Sequence, residues 1–250
     1  MPSYLITGTS RGLGLGFVTE LLKDPGNVVI ATARDPAKSA GLQELKTKHG
    51  DAQLHVVSLD VTKQDSVHKA AEVTQKLLPN GLDYLISNAG INPGALTSLN
   101  DMDMDEFKAE IEFNVTGPMH LFREFTPLIR KSEAKKVMVI TSALGSLEYS
   151  GPVEGPCDSY SIGKAALNMT TRKWSAALKK DGITTILVHP GYIGGTDMGA
   201  GIETWVQENL PDLPNLTVET SVQCCLKVMH GATPEDNGLF FNEDGTTRPW

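Results

Sequence analysis

Tyr4-Leu5-Ile6-Thr7-Gly8-Thr9-Ser10-Arg11-Gly12-Leu13-Gly14-Leu15-Gly16-Phe17 decides the fold. An apolar run of strand formers ends at Thr7, glycines follow at 8, 12 and 14, and Leu13, Phe17 and Leu21 then repeat at helical spacing. The pattern reads as strand, tight turn and helix. Glycine permits positive φ and has no β-carbon, so such a turn lets a pyrophosphate approach the N–H groups at the helix start. The spacing differs from G-x-G-x-x-G, and a glycine-rich turn alone is a weak nucleotide signal whose meaning depends on the rest of the chain.

Outward from this turn the same alternation recurs. Val28 to Thr32, Leu54 to Ser58, Tyr84 to Ser87, Lys136 to Thr141, Ile183 to Val188 and Leu239 to Phe241 bring the predicted strands to seven. Between them Val67-Ala71-Leu78, Val115-Met119-Phe122-Ile129, Ala165-Met169-Leu178 and Val218-Val222-Leu226-Met229 carry one-sided helical patterns. Strands that are apolar on both faces and alternate with helices form a parallel sheet covered on both sides, because each parallel return needs a crossover. The expected fold is therefore α/β: a doubly wound, Rossmann-type, mostly parallel sheet of seven strands with helices on both faces. No linker divides residues 1–250, which are read as a single dinucleotide-binding and catalytic domain. Residues 191–217, an irregular stretch before the last helix, are the expected substrate lid.

Composition excludes several other classes. With 40% hydrophobic and 21% charged residues among 250, the chain can bury a core and is not disordered. Its net charge of −8, with the acids interspersed, argues against a nucleic-acid partner. The N-terminus lacks the basic stretch of a signal peptide, and the apolar runs are far short of the ~20 residues needed to span a bilayer. A cytoplasmic protein without membrane contact is expected. Three cysteines, Cys157, Cys224 and Cys225, fit a reducing compartment, and the six histidines have no metal-ligand spacing, so no metal is expected.

Two arginines give the glycine turn its context. Arg11 lies within it and Arg34 follows the second strand, where this fold class reads the adenosine ribose. An acid there favours NAD(H); arginines favour the 2′-phosphate of NADP(H), the expected cofactor. Asp60 with Val61 after the third strand, and Asn88-Ala89-Gly90 after the fourth, are placed to line the adenosine. Tyr160 and Lys164 lie one helical turn apart on one face. Free tyrosine, with a pKa near 10, is only about 0.1% ionised at pH 7. A lysine cation about 4 Å away at an effective dielectric of ~20 contributes roughly 4 kcal/mol before desolvation opposes it, so Lys164 is expected to lower the Tyr160 pKa and make the pair a usable proton donor. Ser142, closing the fifth strand, and Asn114, between two helical patterns, fall on the same sheet edge.

Together Thr7-Gly8-x-x-x-Gly12-x-Gly14, Asp60, Asn88-Ala89-Gly90, Asn114, Ser142, Tyr160-x-x-x-Lys164 and Pro190-Gly191 resemble the short-chain dehydrogenase/reductase family across essentially the whole chain. The ending Gly238-Leu239-Phe240-Phe241-Asn242-x-Asp244-Gly245 is similar to the sniffer and C-factor branch of NADPH-dependent carbonyl reductases. The resemblance implies hydride transfer to a ketone, aldehyde or quinone, with Tyr160 as general acid, Ser142 on the carbonyl oxygen, Lys164 on the nicotinamide ribose and Asn114 in a proton relay. It implies cofactor contacts from Gly8, Ser10, Arg11, Gly12, Leu13, Gly14, Pro190, Gly191, Ile193 and Thr196, and a homodimer or homotetramer. The related branch has one residue fewer before the threonine, so the added glycine at 194–195 shifts Thr196 from that register unless a looped-out Gly absorbs it, and Ile193 is left to contribute its backbone groups. An NAD-linked dehydrogenase, a non-redox enzyme and a nucleotide-sensing protein are the alternatives. Substrate identity is assigned to the 143–159 and 191–217 loops.

Overall fold

A computed structural model of the chain describes residues 1–150 and 157–250. Its strands are β1 (Ser3–Thr7), β2 (Val28–Ala33), β3 (Leu54–Ser58), β4 (Tyr84–Ser87), β5 (Lys136–Ile140), β6 (Thr184–His189) and β7 (Phe240–Asn242). They form one sheet in the order β3-β2-β1-β4-β5-β6-β7, and every pairing is parallel. The expected seven-stranded doubly wound sheet is present, and even its short last strand is parallel, running with β6 and pairing Val188 with Phe241.

The helices are α1 (Gly12–Leu21), α2 (Ala40–Gln53), α3 (Gln64–Leu77), α4 (Met104–Ile111), α5 (Gly117–Lys131), α6 (Leu147–Ser150), α7 (Asp158–Leu178), α8 (Asp197–Ala200), α9 (Glu203–Asn209) and α10 (Val218–Gly231). Successive strand residues point to opposite faces, and the core divides accordingly. Tyr4 and Ile6 join Phe17 of α1, Leu42 of α2 and Val222 of α10 on one side. Leu5, Ile30, Leu85 and Val137 meet Val67 of α3, Phe125 of α5 and Leu167 of α7 on the other. This two-sided burial explains why the strand runs are continuously apolar rather than alternating.

Strand order reverses between β1 and β4, which opens a crevice at their carboxyl ends. The 191–217 segment closes over this edge and is less irregular than expected, since it contains the short helices α8 and α9. Its two ends are pinned together by Leu216 N donating to Tyr192 O at 2.8 Å and Gly194 N donating to Asn215 Oδ1 at 2.8 Å. Of the 143–159 loop, residues 151–156 lie outside the described residues. No helix among the described residues is long and apolar enough to cross a membrane.

Leu85 sits fully buried at the centre of β4, between Leu5 and Val137. Leu85→Ala is expected to cost about 2–5 kcal/mol, read as a lower urea midpoint at unchanged m-value.

Candidate active site

The crevice begins with a clasp between β1 and β4. The buried Thr7 hydroxyl oxygen accepts from the backbone N–H groups of Asn88 and Ala89, both at 3.0 Å, while Asn88 Nδ2 donates to Thr7 O at 2.8 Å. Gly8 leaves the strand with φ +73°, and a β-carbon there would lie 2.9 Å from Ala89 Cα. At Gly14 it would lie 2.1 Å from Gly8 O. Both positions therefore require glycine for close backbone approach. Arg11 precedes α1 without a side-chain cap, so the first N–H groups of that helix remain available at the turn.

A cavity of about 500 Å³ opens over this turn. The sequence-predicted residues that line it are Gly8, Ser10, Arg11, Gly12, Leu13 and Gly14 of the turn. Arg34, Val61, Asn88, Ala89 and Gly90 follow from the next strand ends, and Tyr160, Lys164, Pro190 and Thr196 close the far end. Asp60 does not line it: its Oδ1 accepts from Thr62 N at 3.1 Å and Thr62 Oγ1 at 2.8 Å, closing a local turn. Gly191 and Ile193 face a neighbouring cavity instead. Phe113 and Asp197, not singled out from sequence, border the nucleotide-sized cavity. The Arg34 guanidinium stands 5.8 Å from the Phe113 ring centre, and Arg11 pairs with Asp197 at 3.0 Å on the exposed rim. Asp35, next to Arg34, is turned away to Lys38 at 2.8 Å.

The second cavity, about 220 Å³, is lined by Ser142, His189, Ile193 and the apolar side chains of Trp205, Val206 and Leu213, among others. Burial pulls His189 down to about 3, with Arg248 adding to the effect, so the imidazole there is neutral. Thr196 borders both cavities, and at Gly195 no atom lies close to where a β-carbon would stand. The Thr196 hydroxyl caps α8, donating to Ile193 O at 2.9 Å and accepting from Gly199 N at 3.1 Å.

Tyr160 lines both cavities and Lys164 the first. Lys164 Nζ lies 5.4 Å from the Tyr160 ring centre and donates to Ile140 O at 3.0 Å. The expectation that the lysine lowers the tyrosine pKa is not met. Burial, with Cys157 and Glu110 adding to it, pushes the Tyr160 hydroxyl above its ordinary value, and burial pulls Lys164 down to about 8. Desolvation is the largest cause at both side chains. Ser142 follows the end of β5, and its oxygen accepts from Leu144 N at 3.2 Å, which leaves its own hydrogen free to donate.

Asn114 lines neither cavity. It lies in a π-helical turn, Glu112–Thr116, a widening that helical periodicity does not reveal. Nδ2 donates to Ile91 O at 2.8 Å and Oδ1 accepts from Ile91 N at 3.0 Å. Sequence reasoning missed Glu110, whose carboxylate contacts both Asn114 and Ser159. An acid one turn before the asparagine on a helix of mixed charge carries no distinguishing signal.

The fold and these cavities place the chain beside known proteins. A family model described as short chain dehydrogenase matches residues 3–207. The chain belongs to the short-chain dehydrogenase family. Among its relatives are an uncharacterized oxidoreductase of Schizosaccharomyces pombe, 35% identical over 99% of this chain and 97% of the relative, and a short chain dehydrogenase of Penicillium aethiopicum, 35% identical over 100% of both. Among solved structures, the NADPH-bound carbonyl reductase from chicken fatty liver aligns with a TM-score of 0.85 at 32% identity, covering 100% of this chain and 99% of that one. The carbonyl reductase Sniffer of Drosophila melanogaster aligns with a TM-score of 0.88 at 28% identity, covering 100% of both. This short-chain dehydrogenase thus resembles the sniffer-like reductases along its whole length, as its motifs imply.

Cys157 also borders the site. Although left-handed at φ +71° and lining the second cavity, it is buried and its thiol is pushed up to about 11 by burial; Cys225 is pushed up to about 12 for the same reason. Iodoacetamide at about pH 8 is expected to label the half-buried Cys224 first, with Cys157 and Cys225 protected in the native protein, as peptide mass spectrometry would show.

Proposed function

We propose that this protein is an NADPH-dependent carbonyl reductase acting on apolar ketones, aldehydes or quinones. The observation that carries the reading is the position of Tyr160, the titratable side chain shared by a nucleotide-sized cavity and an apolar one. The first cavity fits a dinucleotide: its glycine turn excludes β-carbons, an uncapped helix start offers N–H donors to a pyrophosphate, and two arginines stand at its rim. Arg34, with Asp35 turned toward Lys38, favours a 2′-phosphate and therefore NADP(H) over NAD(H). Asn88, Ala89 and Gly90, with Val61, border the adenosine side.

When bound, the dinucleotide supplies the hydride. Tyr160, kept protonated by burial, delivers its proton to the oxygen that becomes an alkoxide. Ser142, whose oxygen already accepts from Leu144, donates its hydrogen to that same oxygen. Lys164 has two N–H groups left after bonding Ile140 O, and these hold the nicotinamide ribose. Asn114 acts from beneath by shaping the space beside Lys164. The 191–217 segment serves as the substrate lid, its apolar side chains excluding water from the carbonyl. The cytosol and a homodimeric or homotetrameric assembly belong to the same reading.

NADPH oxidation with a panel of quinones, aldehydes and aromatic ketones tests it. Tyr160→Phe is expected to lower kcat/KM by about 10²–10⁴-fold with NADPH binding nearly intact, and residual activity within about tenfold of wild type would reject Tyr160 as proton donor. Arg34→Ala should weaken NADPH by about 10–100-fold while leaving NADH little changed; isothermal titration showing equal losses would reject the 2′-phosphate role.

A further inference from the structure

Glu110 closes the last turn of α4 and is 1% exposed. Its Oε1 accepts from Asn114 Nδ2 at 3.3 Å and its Oε2 from the Ser159 hydroxyl at 2.7 Å. Ser159 directly precedes Tyr160. One buried carboxylate therefore ties the π-helical turn to the helix that carries Tyr160 and Lys164. Burying an acid between two neutral donors is costly compared with an apolar side chain in the same place, so the group must be judged by what it does to its neighbours.

It does two things. First, it orients the Asn114 amide. With Nδ2 shared between Ile91 O and Glu110, Oδ1 is left to accept from Ile91 N and to border the space over Gly90. A β-carbon at Gly90 would lie 3.5 Å from Asn114 Oδ1 and 3.6 Å from Lys164 Nζ, so the oxygen and the ammonium share that small space. A flipped amide would set its NH₂ against the Ile91 N–H and its oxygen against the carboxylate.

Second, Glu110 faces Lys164: burial raises its own carboxyl above the ordinary carboxylate value, while the Ser159 hydroxyl, Lys164 and the Asn114 amide pull it back down, and in its ionised form it opposes the burial that lowers the ammonium. The titratable groups around the carboxylate are few. Asp158, Tyr160 and Lys164 come from α7, with Cys157 just before it, and Asp103 and Glu106 border with Glu110 a small cleft on the α4 side. Tyr160 and Cys157 are both pushed up and neutral near pH 7, and the remaining neighbours are acids. Lys164 is the cation that faces Glu110 among these groups.

We propose that Glu110 is a positioning residue for proton transfer: it locks the Asn114 amide with its oxygen toward Lys164 and holds Lys164 as an ammonium at working pH. The inference rests on the reductase reading of Tyr160 and Lys164. Glu110→Gln separates charge from shape, since the amide can still bond both partners once the Ser159 hydroxyl turns to accept. In E110Q the alkaline limb of the kcat/KM profile is expected to move to lower pH by about one unit, so that activity falls more at about pH 9 than at about pH 6. A merely structural role would lower kcat/KM at every pH without moving the limb, and an unmoved limb overturns the proposal.

A second readout needs no turnover. Lys164 lies below its ordinary 10.5 in the folded chain, so between about 8 and 10.5 the unfolded chain binds more protons and stability rises with pH. In E110Q that rise should begin at lower pH, and the difference should vanish in a Lys164→Met background; urea midpoints across this range read both. If wild type reduces no carbonyl but the rise shifts, the reductase reading fails and the action of Glu110 on the Lys164 charge stands. If turnover is present and neither limb nor rise shifts, the proposal alone falls.

Discussion

The hydroxyl of Thr7 holds the molecule's working edge together. Buried at the end of β1, it accepts from two successive N–H groups of the chain leaving β4, at the point where strand order reverses. Unpaired, those partly buried donors would cost part of the penalty of a buried polar group. Paired, they draw the β4 end so close to Gly8 that no β-carbon fits between them. The glycine turn, the bare start of α1 and the cavity above them follow from that one contact.

At the other end of the crevice the governing constraint is exclusion of water. Tyr160 and Lys164 are both buried, and burial moves each toward its neutral form: the hydroxyl keeps its proton and the ammonium comes within reach of losing one. The same dryness keeps His189 uncharged in the apolar cavity. An arrangement of this kind depends on fixed dipoles and a few placed charges, because buried groups interact more strongly and are screened less than exposed ones. That is why a buried carboxylate two residues before the π-helical turn matters more than the several exposed ion pairs, which are worth little individually.

Much of this was legible in the chain. Each predicted strand is present within a residue or two of its expected ends, because two-sided burial demands the continuous apolar runs that mark them. The turn glycines, Arg34, Asn88, Tyr160 and Lys164 meet around one cavity, because residues at the carboxyl ends of parallel strands share an edge. Helix α2 was not read, since Leu42 is its lone buried residue and its sequence shows no stripe. Asp60, Gly191 and Ile193 lie on the expected edge but face elsewhere, a matter of local turns and side-chain direction. The sense of the Tyr160 shift also escaped, because spacing reveals a neighbouring cation and says nothing of how dry the pair is.

The sequence by itself determined the parallel sheet, the crevice at its switch point and most of the residues that surround it, because hydrophobic period and glycine placement are local constraints that survive without knowledge of the rest. Tertiary structure alone decided which groups lose their water and which dipoles meet. Glu110, Asn114 and Ser159 come from separate stretches of chain and acquire their relation when α4, the π-helical turn and α7 pack. Desolvation and hydrogen-bond direction depend on distances across the fold, and no spacing along the chain encodes them.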